Sequence, residues 1–387
     1  MTEWKEYKLE EIVETFIDYR GKTPQKSSSG IPLITAKVVK DGRIMPPNEF
    51  IPEEDYESWM TRGLPEINDI VLTTEAPLGE VALIKDNKIA LAQRIITIRG
   101  KRDVVDNAYL KYYFQSSQGQ FELMSRASGT TVFGIKAEVL RKVPVSLPPL
   151  GEQKRIASIL TSLDDKIDLL RCENATLEAM AETLFRQWFV VEAKEEWEEG
   201  KLGDILSVKG GTTPSTKEPS YWDGDIAWTS PRDVTTLNGL YLFDTEKKIT
   251  QKGLEQISSG LLPEGTLLMS SRAPVGVLAF AEIPLAINQG YIAILDDKGY
   301  SKEFIYLWLK TNMDLVHSYS NGSTFMEISK SAFKSLDLLI PPQSEVEEFV
   351  GKVKPYFEKI RLNEMHCILL FKLKNLLLPR LMSNKKC

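Results

Sequence analysis

The sequence predicts an α+β protein: two pseudo-symmetric α/β domains separated by two long antiparallel coiled-coil helices. Three observations carry this. A repeat runs through the chain at an offset of about 193 residues. A double proline, Pro148-Pro149 or Pro341-Pro342, closes the globular part of each copy. The stretch after each double proline holds a heptad apolar seam. The expected order is a domain at 1–150, a helix at 151–193, a domain at 194–342 and a helix at 343–387.

The repeat is read from matches in the same order in both halves. Trp4 and Leu9 match Trp197 and Leu202, and Gly21-Lys22-Thr23-Pro24 matches Gly211-Thr212-Thr213-Pro214. Ala76-Pro77-Leu78-Gly79 matches Ala273-Pro274-Val275-Gly276, and Gly129-Thr130-Thr131 matches Gly322-Ser323-Thr324. Within each copy, short β-type runs predict strands: Ile70 to Thr74, Val81 to Ile84 and Ile95 to Ile98 in the first, Leu267 to Ser270 and Ile292 to Leu295 in the second. Tyr109 to Phe114 and Phe304 to Leu309 read as helical.

After Pro149 the apolar residues Ile156, Leu160, Leu163, Ile167, Leu170, Leu177, Ala181, Leu184 and Trp188 alternate spacings of four and three, with Asn174 in the missing slot. The same register in the second copy gives Phe349, Val353, Tyr356, Ile360, Asn363, Cys367, Leu370, Lys374, Leu377 and Leu381. Each helix would reach about 57 Å at about 1.5 Å per residue, and the other copy is the obvious partner for its stripe. Asn174, Asn363 and Lys374 read either as register markers or as solvent-facing after a small phase slip. Pro355 predicts a bend or restart after Val353, since proline removes a helical hydrogen bond.

Charge is neutral evidence. The net charge is −6, and residues 151–200 alone carry 12 acidic against 6 basic side chains. The globular segments are near neutral, so a local basic face remains open. No run of about 18 apolar residues predicts a membrane span. The polar start predicts no secretory signal, and three unrelated cysteines predict no disulfide framework, which fits a cytoplasmic location.

Catalytic signatures are missing. His317 and His366 have no ligand spacing around them, and neither a phosphate loop nor a dinucleotide fingerprint occurs. Asp164-Asp165-Lys166 and Asp296-Asp297-Lys298 superficially resemble nuclease clusters, but the expectation is a solvated helix face and a turn. No active site and no metal site are expected.

Ser128 to Ile135 (SGTTVFGI) followed by Val143 to Ala157 (VPVSLPPLGEQKRIA) resembles the junction between a target recognition domain and a conserved helix in specificity (S) subunits of Type I restriction–modification systems. Leu177 to Val190 resembles the end of that family's central conserved helix, and Leu376 to Ser383 its C-terminal one. The resemblance covers essentially the whole chain. It implies a non-catalytic subunit in which each target recognition domain reads one half of a bipartite site in double-stranded DNA. The helices would set the unread spacer and dock two methyltransferase (modification) subunits, with restriction subunits joining through the complex. S-adenosylmethionine, ATP and Mg would belong to those partners, and this chain would hold no cofactor. An orphan sequence-specific DNA-binding protein of the same architecture is the alternative; it would bind DNA tightly without a methyltransferase.

Groove reading needs cations, amides and hydroxyls on exposed loops. The Thr-Pro loops supply Lys22, Thr23, Lys26, Lys209, Thr212, Thr213 and Lys217, and the positions after the next strand supply Thr35, Lys37, Ser230 and Arg232. Gln93-Arg94 aligns with Asn288-Gln289, and Thr74-Glu75 with Ser271-Arg272. The Gly-Thr-Thr and Gly-Ser-Thr loops supply Thr130, Thr131, Ser323 and Thr324, with Arg126 and Lys136 nearby. Any one of these is equally a solvated charge or a turn-forming hydroxyl. Positions that differ between copies, such as Lys37/Arg232 and Glu75/Arg272, are the better candidates for sequence reading. Tyr221 and Trp222 read as core before stacking groups. Leu184, Phe185, Trp188 and Phe189 exceed what one seam needs, so part of that cluster is expected to be a partner interface.

Overall fold

A computed structural model describes residues 4–129, 131–272, 274–321 and 326–383. The chain forms two compact units. One runs through Ile167 and takes the chain back from Leu369; the other comprises Asp168–Ile368. Each holds one globular domain and a part of each long helix, Leu150–Arg186 and Gln343–Leu381. No helix among the described residues is long and apolar enough to cross a membrane.

The first unit is built on an antiparallel four-stranded sheet in the order Val13–Asp18, Ile95–Gly100, Ile70–Thr74, Leu78–Leu83. A second sheet places Ile31–Ile34 between Phe50–Ile51, antiparallel, and Ala90–Leu91, parallel. Lys5–Lys8 pairs with Pro144–Leu147, which ties the start of the domain to the strand entering the first long helix. The helix Asn107–Gln115 starts where Asp106 accepts the Tyr109 N–H, a side-chain cap of the usual kind. Its Tyr109, Leu110, Tyr113 and Phe114 are buried with Ile70, Leu72, Ile96 and Ile98 of the sheet, with Ile156, Leu160 and Leu378 of the long helices, and with Met382 just past the second.

The second unit repeats this plan. Its five-stranded sheet runs Ser207–Lys209, Tyr291–Leu295, Leu267–Ser270, Leu278–Ala281, Tyr241–Leu242, antiparallel except for the last pair. Trp222–Thr229 again sits between an antiparallel strand, Lys247–Ile249, and a parallel one, Leu285–Ile287. Glu198–Lys201 pairs with Asp337–Ile340. Ser301 caps the helix Lys302–Thr311 by accepting from the Phe304 N–H. The predicted strands and helices of both copies fall within these elements, save Ile84, one residue past the strand Leu78–Leu83.

Within the second unit the long helices run antiparallel. Asn174 accepts a 2.9 Å hydrogen bond from the Asn363 side chain, while further along Phe185 packs on Phe349, ring centroids 5.9 Å apart. Asn363 also donates to Glu173 at 2.9 Å, so the two asparagines are partnered across the seam rather than turned to solvent. Glu364, one residue on, is buried and accepts from the backbone N–H groups of Leu240 at 2.7 Å and Tyr241 at 3.0 Å. Burial pushes this carboxyl up to about 7, with Glu178 and Glu282 adding to the rise against the two N–H donors.

Two expectations are corrected here. The second long helix does not restart at Pro355 but continues from Gln343 to Leu381. Pro355 and Gly351, the residue whose carbonyl loses its partner, are both exposed, so water can take up the freed acceptor. Asp164, expected on a solvated face, is buried in the first unit. Its carboxylate receives Lys374 Nζ at 2.7 Å, Lys111 Nζ at 2.9 Å and Tyr112 Oη at 2.7 Å. Burial alone would raise this carboxyl, yet Lys111 and Lys374 hold it down at about 2. The node has an aromatic counterpart in the other unit. The positions matching Asp164, Lys374 and Lys111 are Phe357, Ala181 and Tyr306, and Tyr306 meets Phe357 edge-on at 5.6 Å.

Candidate nucleic-acid interface

In each unit the same hydrogen bonds draw three loops together. In the first, the Thr74 N–H donates to the Arg94 carbonyl at 3.0 Å and the Ile135 N–H to the Thr74 carbonyl at 2.9 Å. Glu75 and Gly134 form a β-bridge, and Ser128 and Gly134 exchange hydrogen bonds of 2.9 and 3.0 Å. In the second, the Ser271 N–H donates to the Gly290 carbonyl at 2.8 Å and the Ile328 N–H to the Ser271 carbonyl at 3.0 Å. Arg272 bridges Glu327, and Asn321 and Glu327 exchange bonds of 2.9 and 3.0 Å. These bonds set Arg94 opposite Gly290, so Gln93 matches Gln289, one residue off the alignment drawn from sequence.

The junction brings several candidates together. Arg94 pairs with Glu75 at 3.0 Å, and Lys136, exposed, precedes the helix Ala137–Arg141. Arg126 is half-buried against Glu122 one turn before it. Thr131 is exposed. In the second unit Thr213 donates to Gln289 Oε1 at 2.7 Å, joining the Thr-Pro loop to the loop before the last strand. Thr212 is absorbed locally, donating to the Gln256 carbonyl and accepting from the Ser258 N–H. Asn288 holds its own turn by accepting from Gly290. Lys22, Thr23, Lys37, Lys209 and Lys217 are exposed, and Lys26, also exposed, pairs with Glu49 at 2.8 Å. Arg232 is exposed, 4.0 Å from Glu246. Thr130, Ser323 and Thr324 lie outside the described residues.

Some candidates are structural. Thr74 and Ser271, 2% and 3% exposed, are inner residues of the junction and cannot touch a ligand as placed. Ser230 starts a helix, its N–H donating to Asp233 at 2.8 Å and its carbonyl accepting from Tyr291; Thr35 accepts the Val38 N–H in a turn. Trp222 packs edge-on against Trp228 at 5.1 Å. Two residues escape sequence reasoning. Arg20 reaches the Ile135 carbonyl at 3.2 Å, and Arg62 donates to the Arg20 carbonyl at 2.7 Å. Arg20 directly precedes the Gly21-Lys22-Thr23-Pro24 loop, but the second copy has glycine there, so the repeat does not flag it.

A family model for the type I restriction modification DNA specificity domain matches residues 1–179 and 194–368. The chain belongs to this family. Like other members, it is similar to named specificity subunits of type I restriction enzymes. It is 35% identical over 181 residues to the MjaIX specificity subunit of Methanocaldococcus jannaschii, an alignment covering 46% of this chain and 42% of that protein. It is 21% identical to the putative MjaX specificity subunit of the same organism over 99% of this chain and 93% of that one. The fold of this specificity-domain chain is similar to that of the S subunit from M. genitalium, TM-score 0.60 at 14% identity, over 100% of this chain and 97% of that one.

Part of the aromatic cluster at the end of the first long helix of this family member is internal. Phe185 is 1% exposed, 5.5 Å from Phe304 and 5.9 Å from Phe349. Phe189 lies 4.9 Å from Phe349, and Trp188 5.8 Å from it. The expectation that Phe185 faces a partner is therefore corrected: the second unit's own core uses it. Leu184 differs, since it lines an open apolar groove with Cys172, Ala175, Ala179, Met180 and Tyr356.

Proposed function

We propose that the chain is the DNA sequence-specificity subunit of a type I restriction–modification enzyme and is itself non-catalytic. Each domain reads one half of a bipartite site in double-stranded DNA, and the long helices set the unread spacer. The observation that carries this is the duplicated loop junction: one backbone scheme in two units, presenting different residues, Arg94 and Glu75 in one and Gly290 and Arg272 in the other. A constant frame with variable side chains is what reading two unlike half-sites requires. Lys22, Lys37, Lys136, Lys209 and Lys217 serve phosphate contact. Two methyltransferase subunits dock on the long helices, the groove beside Leu184 forming part of one docking face, and restriction subunits join through the complex. S-adenosylmethionine, ATP and Mg belong to those partners.

Co-expression with the cognate modification subunit, followed by mapping of methylated adenines across a genome, tests the proposal. The expected result is a bipartite motif with a constant gap. Absent methylation, or a short continuous site, would overturn it, and tight specific binding by the isolated chain would favour a stand-alone DNA-binding protein.

A further inference from the structure

The loop from Ser128 to Gly134 ends in two large apolar side chains with no fold role. Val132 is 54% exposed and Phe133 52% exposed, while the next residue, Ile135, is buried and anchors the loop to Thr74. The loop is closed at its base by the reciprocal Ser128–Gly134 hydrogen bonds. It is also tightly wound, since Gly129 has φ +126° and a Cβ there would sit 2.1 Å from the Val132 carbonyl oxygen. Isolated surface apolar residues are ordinary; an adjacent pair on a loop closed at its base is not. The second copy has Phe325-Met326 at the same positions, and Met326 is 47% exposed; Phe325 lies outside the described residues. Three basic side chains lie around it: Arg20, paired with Asp18 at 3.0 Å, bonds the base of the loop, Arg94 pairs with the residue bridging Gly134, and Lys136 follows with no ion pair among the described residues.

We propose that Val132–Phe133 is an apolar wedge that inserts at a base step of the duplex in the half-site read by the first domain. The inference rests on the DNA-reading role proposed above. Phosphates engage the flanking cations, and the phenyl ring takes the stacking surface exposed when the step opens, the use to which Phe and Met are put by proteins that kink DNA. The repeated pair makes this a contact common to both half-sites, separate from the side chains that differ between them.

The test uses the full chain in complex with its modification subunit, on a duplex carrying the mapped site with 5-iododeoxyuridine at each thymine of the first half-site in turn. Irradiation is expected to crosslink Phe133 at one position. Phe133→Ala should remove that crosslink and weaken binding about tenfold, the scale of one base–aromatic stack, with Phe133→Leu recovering part of it. Methylation still mapping to the same bipartite motif in Phe133→Ala would show the reading role intact while the wedge is lost. Unchanged affinity and no crosslink at any position would overturn the wedge. So would loss of the modification subunit on purification of Phe133→Ala, which would make the pair a protein contact.

Discussion

Asp164 in the first long helix and Lys374 in the second meet at 2.7 Å, and Lys111 of the first domain joins them at 2.9 Å from the same carboxylate. Three elements distant in sequence thus share one buried anion. Removing it strands two lysines in a dry site, and breaking such a pair costs about 3–5 kcal/mol. Asp164→Ala should lower the urea midpoint of the chain accordingly, while Asp164→Leu with Lys111→Met and Lys374→Met recovers most of the loss. A wild-type-like midpoint in Asp164→Ala alone would refute this account.

The same carboxyl fixes behaviour in acid. Its folded value of about 2 lies below its ordinary 3.8, so the stabilisation is complete above 3.8 and is lost as pH falls from there towards 2. A stability titration should show this loss, and Asp164→Ala should flatten it.

Glu364 works in the opposite sense. Its folded value of about 7 exceeds 4.5, so between these values the folded state binds more protons than the unfolded one. Stability therefore falls as pH rises from 4.5 to 7. Glu364→Gln is expected to abolish that slope, measured by denaturant midpoint across the window.

Pro355 sits on the exposed face of an uninterrupted helix. Pro355→Ala restores a backbone donor there and should raise stability by about 1–3 kcal/mol. A fall in melting temperature would mean that proline, not the helix, is preferred at this place.

At the proposed DNA face, Lys136→Ala should weaken binding by the assembled complex evenly across sequences and reduce the salt slope by about 1. Arg272→Ala should relax a base preference in one half of the mapped motif and leave the other half unchanged. Competition binding at several salt concentrations separates the two.

Most of the architecture is legible in the sequence because duplication prints it twice. Trp4/Trp197 and the Ala-Pro-x-Gly pairs align without any structural help, and Thr74-Glu75 and Ser271-Arg272, just ahead of the latter, are among the residues joined at the junction. What sequence misses is where a tertiary partner decides. Heptad spacing selects Leu163, yet its neighbour Asp164 faces inward because Lys111, Lys374 and Tyr112 converge on it from elsewhere. Phe185 goes to the core for a similar reason: Phe304, far along the chain, waits for it. Thr74 and Ser271 look like ligands in a hydroxyl-rich segment, but both end up beneath the loops they hold.

The unlike nodes, ionic at Asp164 and aromatic at Phe357, also set a rule for grafting. A foreign domain inserted ahead of Pro148-Pro149 must bring a basic side chain at the place of Lys111. One inserted ahead of Pro341-Pro342 must bring an aromatic ring at the place of Tyr306. Chimaeras that keep this pairing should assemble. Those that cross it would leave Asp164 without one of its two lysines or set a lysine against Phe357, so compatibility between modules is settled away from the loop junctions.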